Sequence, residues 1–321
     1  MAGDHDCRRS SASTSLATIH QPLAHNAALA IVADRLGNID RGLQEELAHC
    51  GVLTVRLDRE VEVWVGMDQR SRPSASATST KVLIVLEPPD VRQFNTDGFD
   101  LVLTWQEKHL LELASARLFI PSTPWLVPAE WPRFHGAAKS CGLGFLRGTK
   151  TATEGHRLRH EVWEARDELA SRMRVPARFS AGGVCRDERN SQFLHHFVLV
   201  VENSRHKNYF TEKLLDAVLC RCVPVYWGCT NIQDFFDPAG IIEVGGGSAE
   251  VLAACRGLTE DDYFSRADVL DRNFEAATQY VGDFGRRVQN EIKKHLAEMP
   301  AARAGREGDH LETANAPGTD L

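Results

Sequence analysis

Short apolar runs alternate with helix-like segments along most of this 321-residue chain, and this alternation constrains the fold more than any other feature. The clearest instance spans residues 197–228, where an apolar run, a polar loop, an amphipathic segment and a second apolar run follow one another. Strands that read as continuous apolar runs and are separated by helices are typical of parallel sheets. The pattern therefore predicts an α/β fold with mostly parallel, doubly wound sheets.

The alternation pauses near residues 129–141, a stretch that we interpret as a linker between two units. We expect one α/β unit over residues 27–135 and a second over residues 136–300. The ends of the chain, residues 1–26 and 301–321, are polar and aperiodic, which predicts disordered tails. Two tandem open α/β units place a cleft between them, lined by the carboxyl ends of strands.

The composition of the chain argues against several kinds of binding partner and against some kinds of site. The formal net charge of −7 argues against nucleic acid or an acidic membrane surface as the main partner, although a local basic pocket for a small phosphate compound is compatible with it. The eight cysteines include no Cys-x-x-Cys pair, so spacing predicts neither a zinc site nor a thioredoxin-type motif. No window of 18 apolar residues occurs, and we expect no membrane span.

Charged residues cluster where the strand before residue 202 ends. Glu202 and Asn203 follow the apolar run, at the strand end where open α/β sheets bind ligands. Thr211 is a good helix N-cap, and Glu212 suits the first helical turn, but Lys213 in that turn opposes the helix dipole. A bound phosphate would resolve this conflict, because helix N-termini and lysines both favour anions. The alternative is a lysine that is simply solvated.

The segment VENSRHKNYFTEKLLDAVLCRCVPVYWG resembles the signature of the α-1,3/4-fucosyltransferase family. The elements that match are Glu202-Asn203-Ser204, Tyr209, Thr211-Glu212-Lys213 and the run from Pro224 to Gly228. The resemblance covers about residues 140–250 and is weaker over residues 80–130. It implies the GT-B fold, in which two Rossmann-like domains face each other across a cleft. The second domain would bind GDP-fucose and the first the acceptor sugar.

The same resemblance implies roles for individual residues. Tyr209 corresponds to the aromatic residue at the donor, Glu212 to the carboxylate that binds ribose or fucose hydroxyls, and Lys213 to the phosphate-binding cation. Glu202 and Asn203 correspond to the glutamate and asparagine near the fucose.

Two further cations are candidates for the diphosphate. Arg159 resembles the family's arginine on the first helix of the donor domain, and Arg157 competes with it. The two would lie about 200° apart around a helix, so only one can face the cleft. Lys150, just before this helix, is a third candidate cation.

Glu87 is the candidate catalytic base. It ends a predicted strand in KVLIVLEPPD, and this stretch resembles the family's Glu-Ser-Pro segment, with Pro88 in place of serine. An inverting transfer needs a base on the acceptor hydroxyl. The alternatives are Asp90 as the base, or a solvated Glu87 that caps a loop.

No metal is expected at the site. The one Asp-x-Asp pair, Asp4-His5-Asp6, falls in a predicted tail, so cations would take the place of a metal and GDP-fucose would serve as a substrate rather than a cofactor. His195 and His196 are expected to be structural. Trp105, Trp125 and Trp131 offer an acceptor-stacking face, with core or rim packing as the favoured alternative.

The leading function is inverting transfer of fucose from GDP-fucose to a glycan hydroxyl. One alternative is a GT-B transferase that uses another nucleotide sugar, and a second is a non-catalytic nucleotide- or glycan-binding relic. Because the first residues lack the apolar core of a signal peptide, we expect a soluble, cytoplasmic chain. The Golgi lumen, where anchored members of the resembled family work, is the alternative if the native chain carries an N-terminal anchor.

Overall fold

The computed structural model describes residues 29–32, 51–56, 60–65, 80–136, 139–282 and 284–299. The two predicted tails lie outside these ranges. Within them, the α/β class predicted from the sequence is confirmed, with two sheets that each carry helices. No helix among the described residues combines the length and apolarity that crossing a bilayer requires.

The first sheet has the strand order β1-β2-β3-β4-β5-β6. Its strands are β1 Leu29–Val32, β2 Gly51–Arg56, β3 Glu60–Val65, β4 Thr80–Ile84, β5 Leu101–Thr104 and β6 Ala116–Leu118. From β3 to β6 neighbouring strands are parallel, but β1–β2 and β2–β3 are antiparallel. Most of the described strand pairs of the two sheets are parallel, which confirms the prediction. This antiparallel edge is the exception, because only three residues join β2 to β3 and so short a connection permits only antiparallel pairing.

The second sheet is parallel throughout its described strands, in the order β11-β10-β9-β7-β8. These strands are β7 Ser140–Leu146, β8 Ala177–Ser180, β9 His195–Val201, β10 Val223–Trp227 and β11 Ile242–Glu243. Counted along the unit, the order is 2-1-3-4-5, so the chain reverses its winding direction between β7 and β9. Ligands of open α/β sheets bind outside the strand ends at such a reversal.

The helices that accompany these strands are mostly short. They are α1 Glu107–Glu112, α2 Glu154–Glu164, α3 Arg166–Arg172, α4 Arg186–Asn190, α5 Glu212–Leu219, α6 Ser248–Gly257, α7 Glu260–Phe264, α8 Ala267–Thr278 and α9 Phe284–Glu298. Helices α2 and α3 follow each other directly and meet at Ala165.

Alternate residues of β9 pack on opposite faces of the second sheet. Val198 and Val200 pack on the face that carries α5, whereas Phe197, Leu199 and Val201 pack on the face that carries α2 and α6. Because helices cover both faces, this unit is doubly wound, as predicted. The ends of α2 and α5 therefore approach the reversal point from opposite sides.

Two segments tie the units together more closely than the sequence suggested. The stretch interpreted as a linker contains a 3₁₀ helix, Pro128–Phe134, whose Trp131 and Phe134 are buried. The last described helix, α9, returns to the first sheet, where Phe284, Val288 and Ile292 join the core of β3, β4 and β5. The range 136–300 expected for the second unit thus includes a helix that packs on the first.

Candidate donor-binding site

The amino end of α2 packs directly against the end of β9. Gly155 donates its backbone N–H to the carbonyl of Asn203 at 3.0 Å. A Cβ atom at Gly155 would lie 1.8 Å from the carbonyl oxygen of Glu202, so only glycine permits this approach. Thr153 caps the helix by accepting from the backbone N–H of His156. The local sequence thereby brings the first turn of α2 to the reversal point of the sheet.

Arg159 is buried one turn further along α2 and points to the same strand end. Its Nη2 donates to Oδ1 of Asn203 at 2.6 Å, and its Nε donates to the carbonyl of Gly155 at 3.3 Å. Burial lowers the pKa of Arg159, which nevertheless stays charged, as arginine does in proteins. Arg157 is exposed on the other side of the helix, where it donates to the carbonyl of Ala152 at 3.0 Å. Of the two competing arginines, Arg159 lies at the strand end.

Glu202 is fully enclosed beneath the loop that follows β9. Its two oxygens accept from the backbone N–H of Thr211 at 2.8 Å and from the Thr211 hydroxyl at 2.6 Å. Burial raises the pKa of this carboxyl, while the nearby Lys213 ammonium opposes the rise. Its exposed fraction is 0%, so Glu202 holds the start of α5 in place rather than facing the cleft.

Lys213 pairs with carboxylates of the protein itself. Its Nζ lies 2.7 Å from Oε1 of Glu212, 3.8 Å from Oε2 of Glu202 and 3.1 Å from the hydroxyl of Thr211. Burial acts to lower its pKa, but these two carboxylates outweigh burial and hold the pKa of Lys213 above its usual value. Burial likewise acts to raise the pKa of Glu212, yet the Lys213 ammonium holds it below its usual value. The charge conflict seen in the sequence is thus compensated internally, while 29% of the lysine side chain stays exposed.

Glu87 reaches the same region from the first sheet. Its backbone carbonyl accepts from Nε2 of Gln106 at 3.2 Å, which fixes the loop after β4. Burial raises the pKa of Glu87 above its usual value, and the positive charges of Lys150 and Lys213 oppose the rise. Two cations of the second unit thus act on the charge of Glu87. We call Arg159, Lys213 and Lys150 the cation cluster.

Asp90, the alternative base, is engaged elsewhere. Its two oxygens accept from the Ser204 hydroxyl at 2.5 Å and face Nε2 of His206 at 3.0 Å. Burial acts to raise the pKa of Asp90, but these contacts outweigh burial and hold the pKa below its usual value. Asp90 therefore links the two units.

Two aromatic side chains pack together close to the segment that carries Glu87. The rings of Trp105 and Tyr209 are both buried, with centroids 4.6 Å apart. The indole N–H of Trp105 donates to the carbonyl of Leu86, next to Glu87. Of the three tryptophans considered for acceptor stacking, Trp105 and Trp131 are thus core residues, and Trp125 keeps an exposed fraction of 37%.

A cavity of about 180 Å³ opens beside Arg159, Glu212 and Lys213. Arg189 lies over the ring of Trp125, 4.5 Å from its centroid, at the wall of this cavity. Deeper in the wall is Asp216, whose Oδ1 accepts from the backbone N–H of Trp125 at 3.0 Å and of Leu126 at 3.1 Å. Burial raises the pKa of Asp216 to about 7.

Sequence reasoning missed four of these residues: Gly155, His156, Arg189 and Asp216. His156 sits beside Thr153 in the first turn of α2. Burial, followed by the charge of Arg159, lowers its pKa to about 4. It is therefore a neutral imidazole at neutral pH. The four come from three different helices, α2, α4 and α5.

A scan against family models matches residues 178–255 to glycosyltransferase family 10 (fucosyltransferase), C-terminal part. The matched segment is similar to that family over about a quarter of this chain. It contains β9, α5 and β10, and hence Asn203, Tyr209 and Lys213. The resemblance to fucosyltransferases drawn from the sequence is confirmed over this range.

Two curated relatives are also similar to part of this chain. An alpha-(1,4)-fucosyltransferase of Arabidopsis thaliana is 44% identical over 59 residues, or 18% of this chain and 15% of that protein. The alpha-(1,3)-fucosyltransferase FucT of Helicobacter pylori is 32% identical over 59 residues, or 18% of this chain and 12% of that protein. The matched part thus spans less than a sixth of either relative. Among solved structures, an alpha1,3-fucosyltransferase with GDP-fucose aligns with a TM-score of 0.46 and 16% identity, covering 76% of this chain and 79% of that one.

Proposed function

We propose that this chain transfers fucose from GDP-fucose to a hydroxyl group of a glycan, with inversion at the sugar. The observation that carries the proposal is a pair of cations at the reversal point of a parallel sheet: Arg159, which donates to Asn203 at 2.6 Å, and Lys213, 3.8 Å from Glu202. The family 10 segment and the two fucosyltransferase relatives support the choice of donor. In this proposal the second unit binds the donor and the first presents the acceptor.

Charge on the leaving group explains why such a site needs cations. When the bond from the sugar to the diphosphate breaks, the sugar gains oxocarbenium character and negative charge grows on the diphosphate. Fixed positive groups and backbone amides aimed at that charge lower the barrier. We assign bidentate phosphate contact to Arg159, whose planar fork suits it, and point-charge contacts to Lys213 and Lys150. With these cations in place, we propose that the reaction has no obligatory metal.

Binding would rearrange the contacts of Lys213. In the structure its Nζ is paired with Glu212 at 2.7 Å. We infer that a bound phosphate replaces Glu212 as the partner of Lys213. The Glu212 carboxylate can then accept hydrogen bonds from ribose or fucose hydroxyls. The start of α5 would add its amides, since helix N-termini favour anions. Glu202 supports the exchange by holding Thr211, and therefore acts as a positioning residue.

Glu87 is assigned the proton transfer. A raised pKa brings a carboxylate closer to the operating pH, which improves it as a base towards a hydroxyl group. The acceptor oxygen attacks the anomeric carbon from the face opposite the diphosphate, and its proton passes to Glu87. Asn203 is held by Arg159 at 2.6 Å, so any contact it makes with fucose is coupled to the phosphate-binding arginine.

The test is incubation of the full chain with GDP-fucose and a panel of N-acetyllactosamine-type acceptors. We expect a fucosylated product and GDP in equal amounts, with the anomeric configuration inverted. Heat-shift measurements across nucleotide sugars separate the donors, and the proposal predicts the largest shift with GDP or GDP-fucose. A preference for a UDP-sugar, or donor binding with neither transfer nor slow donor hydrolysis, would contradict it.

A further inference from the structure

Three potential metal ligands meet at the other end of the second sheet, away from the cation cluster. Cys141 and His196 are the second residues of β7 and β9, and Glu260 is the first residue of α7. His196 precedes Glu202 by six residues of strand, or roughly 20 Å at 3.3 Å per residue. The group is therefore separate from the proposed donor site.

The geometry of the three side chains is compact. The Cys141 Sγ atom, a His196 ring nitrogen and a Glu260 carboxylate oxygen all lie within 4.8 Å of one another. The pairing of β7 with β9 is irregular here, because Ser140 and His195 are partners and the next partners are Leu143 and Phe197. An extra residue in one strand of such a pair turns a side chain in a new direction. This irregularity places Cys141 beside His196.

The His196 ring is buried, stacks on a neighbouring aromatic ring and has one nitrogen without a hydrogen-bond partner. Its exposed fraction is 6%, and Nδ1 is buried without a hydrogen-bond partner. The ring stacks on Tyr263 at 3.9 Å between centroids, with 2° between the planes. The Tyr263 hydroxyl in turn donates to the carbonyl of Arg221. Burial, then the charge of Lys139, lowers the pKa of His196, so the ring is neutral at pH 7, the form that binds metals.

The other two ligands repel each other when both are ionised. Burial, and then the charge of Glu260, raises the pKa of the Cys141 thiol. A divalent cation between them would reverse this repulsion and displace the thiol proton.

We propose that Cys141, His196 and Glu260 form a binding site for a divalent transition metal, with Zn²⁺ as the best match and water as the fourth ligand. Zn²⁺ accepts thiolate, imidazole and carboxylate ligands together in a tetrahedral set. Mg²⁺ and Ca²⁺ require oxygen ligands, which a thiol and an imidazole do not supply. The metal would connect α7 to the sheet through its ligands, since Cys141 and His196 come from strands and Glu260 comes from the helix.

Cobalt is the probe, because Co²⁺ occupies zinc sites and a Co²⁺–thiolate bond absorbs light. We expect the full chain to bind one equivalent of Co²⁺ with a thiolate charge-transfer band that Zn²⁺ abolishes. Cys141→Ser should lose the band, and Glu260→Gln should weaken binding at least tenfold. Cys185→Ser, at an exposed cysteine, is the matched control and should keep both the band and the affinity.

Stability provides an independent measurement. Zn²⁺ should raise the Tm of the wild-type chain and leave that of Glu260→Gln almost unchanged, because a ligand stabilises only the state that binds it. Glu260 is exposed, so this variant decides the matter even if Cys141→Ser does not fold. Absence of one-equivalent binding, or a Co²⁺ affinity and a Zn²⁺-dependent Tm shift that stay at the wild-type values in Glu260→Gln, would overturn the proposal.

Discussion

The Nη2 atom of Arg159 lies 2.6 Å from Oδ1 of Asn203, and this hydrogen bond joins the helix after β7 to the end of β9. The guanidinium is held by Asn203 and by the carbonyl of Gly155, which fixes its direction. A buried, oriented arginine at the reversal point of the sheet is suited to planar recognition of phosphate.

Arg159→Lys should weaken GDP binding about tenfold or more, equivalent to ~1.4 kcal/mol. The charge is kept, but lysine cannot make the fork of contacts that a guanidinium makes. Titration calorimetry with GDP measures the loss. Arg157→Lys is the matched control on the exposed face of the same helix, and its affinity should match that of the wild type. Equal losses in the two variants would refute the assignment.

Glu87→Gln should reduce the transfer rate at least 100-fold while GDP affinity stays within about twofold, because general bases contribute 10²–10⁴-fold. Asp90→Asn tests the competing carboxylate and should cause a much smaller loss, since Asp90 is occupied by Ser204 and His206. Steady-state kinetics with saturating donor gives the comparison. A larger loss in Asp90→Asn would transfer the role of base to Asp90.

The transfer reaction should lose activity in acid as Glu87 becomes protonated. Because burial raises the pKa of this carboxyl, the acid limb of kcat/KM should have its midpoint above pH 4.5. Lys150→Ala removes the cation that most opposes the rise, so the limb should move to higher pH. Lys108→Ala, an exposed lysine paired with Glu112, should leave the profile in place. A shift to lower pH in Lys150→Ala would be inconsistent with this electrostatic arrangement.

Gly155→Ala should destabilise the fold by about 1–3 kcal/mol and weaken GDP binding, because the added Cβ would lie 1.8 Å from the Glu202 carbonyl. The first turn of α2 must then move away from β9. Urea unfolding measures the loss of stability. Gly257→Ala, where no atom lies within 4 Å of the new Cβ, should be neutral or slightly stabilising. If both variants behave alike, the close approach of α2 does not organise the site.

Asp216 should make the chain less stable as pH rises. Its pKa is about 7 in the folded state, against an ordinary value of 3.8. The stabilisation that protonated Asp216 gives the folded state is therefore complete below about pH 4 and is lost as pH rises through 7. Asp216→Asn keeps one oxygen for the amides of Trp125 and Leu126 and removes the titration. Relative to this variant, the wild type should lose up to roughly 4 kcal/mol between pH 4 and pH 8. If the free energies of unfolding of the wild type and of Asp216→Asn change with pH in the same way, the raised pKa of Asp216 is contradicted.

Local features of the second unit could be read from the sequence. The apolar run of β9, the Thr211 cap and the amphipathic α5 are encoded within about 25 residues, so periodicity and capping rules suffice to predict them. The same rules placed Lys213 in the first turn of α5, whereas Arg159 was named from the resemblance to the fucosyltransferase family.

Contacts between distant segments could not be read in this way. The enclosure of Glu202 depends on the loop that brings Thr211 back to it, and the fit of Gly155 depends on the Glu202 carbonyl. The ligands Cys141, His196 and Glu260 come from three elements, so Cys-x-x-Cys spacing gave no signal for a metal site. Amphipathic periodicity likewise did not indicate that α9 packs on the first sheet.

A structure of the full chain with GDP bound tests the central claim most directly. We predict that the diphosphate lies at the reversal point between β7 and β9, with phosphate oxygens about 3 Å from the Arg159 guanidinium and from Lys213 Nζ. The Lys213–Glu212 pair, whose Nζ and Oε1 atoms are 2.7 Å apart in this structure, should separate. GDP bound elsewhere, or bound here with both cations still paired only to protein groups, would contradict the account.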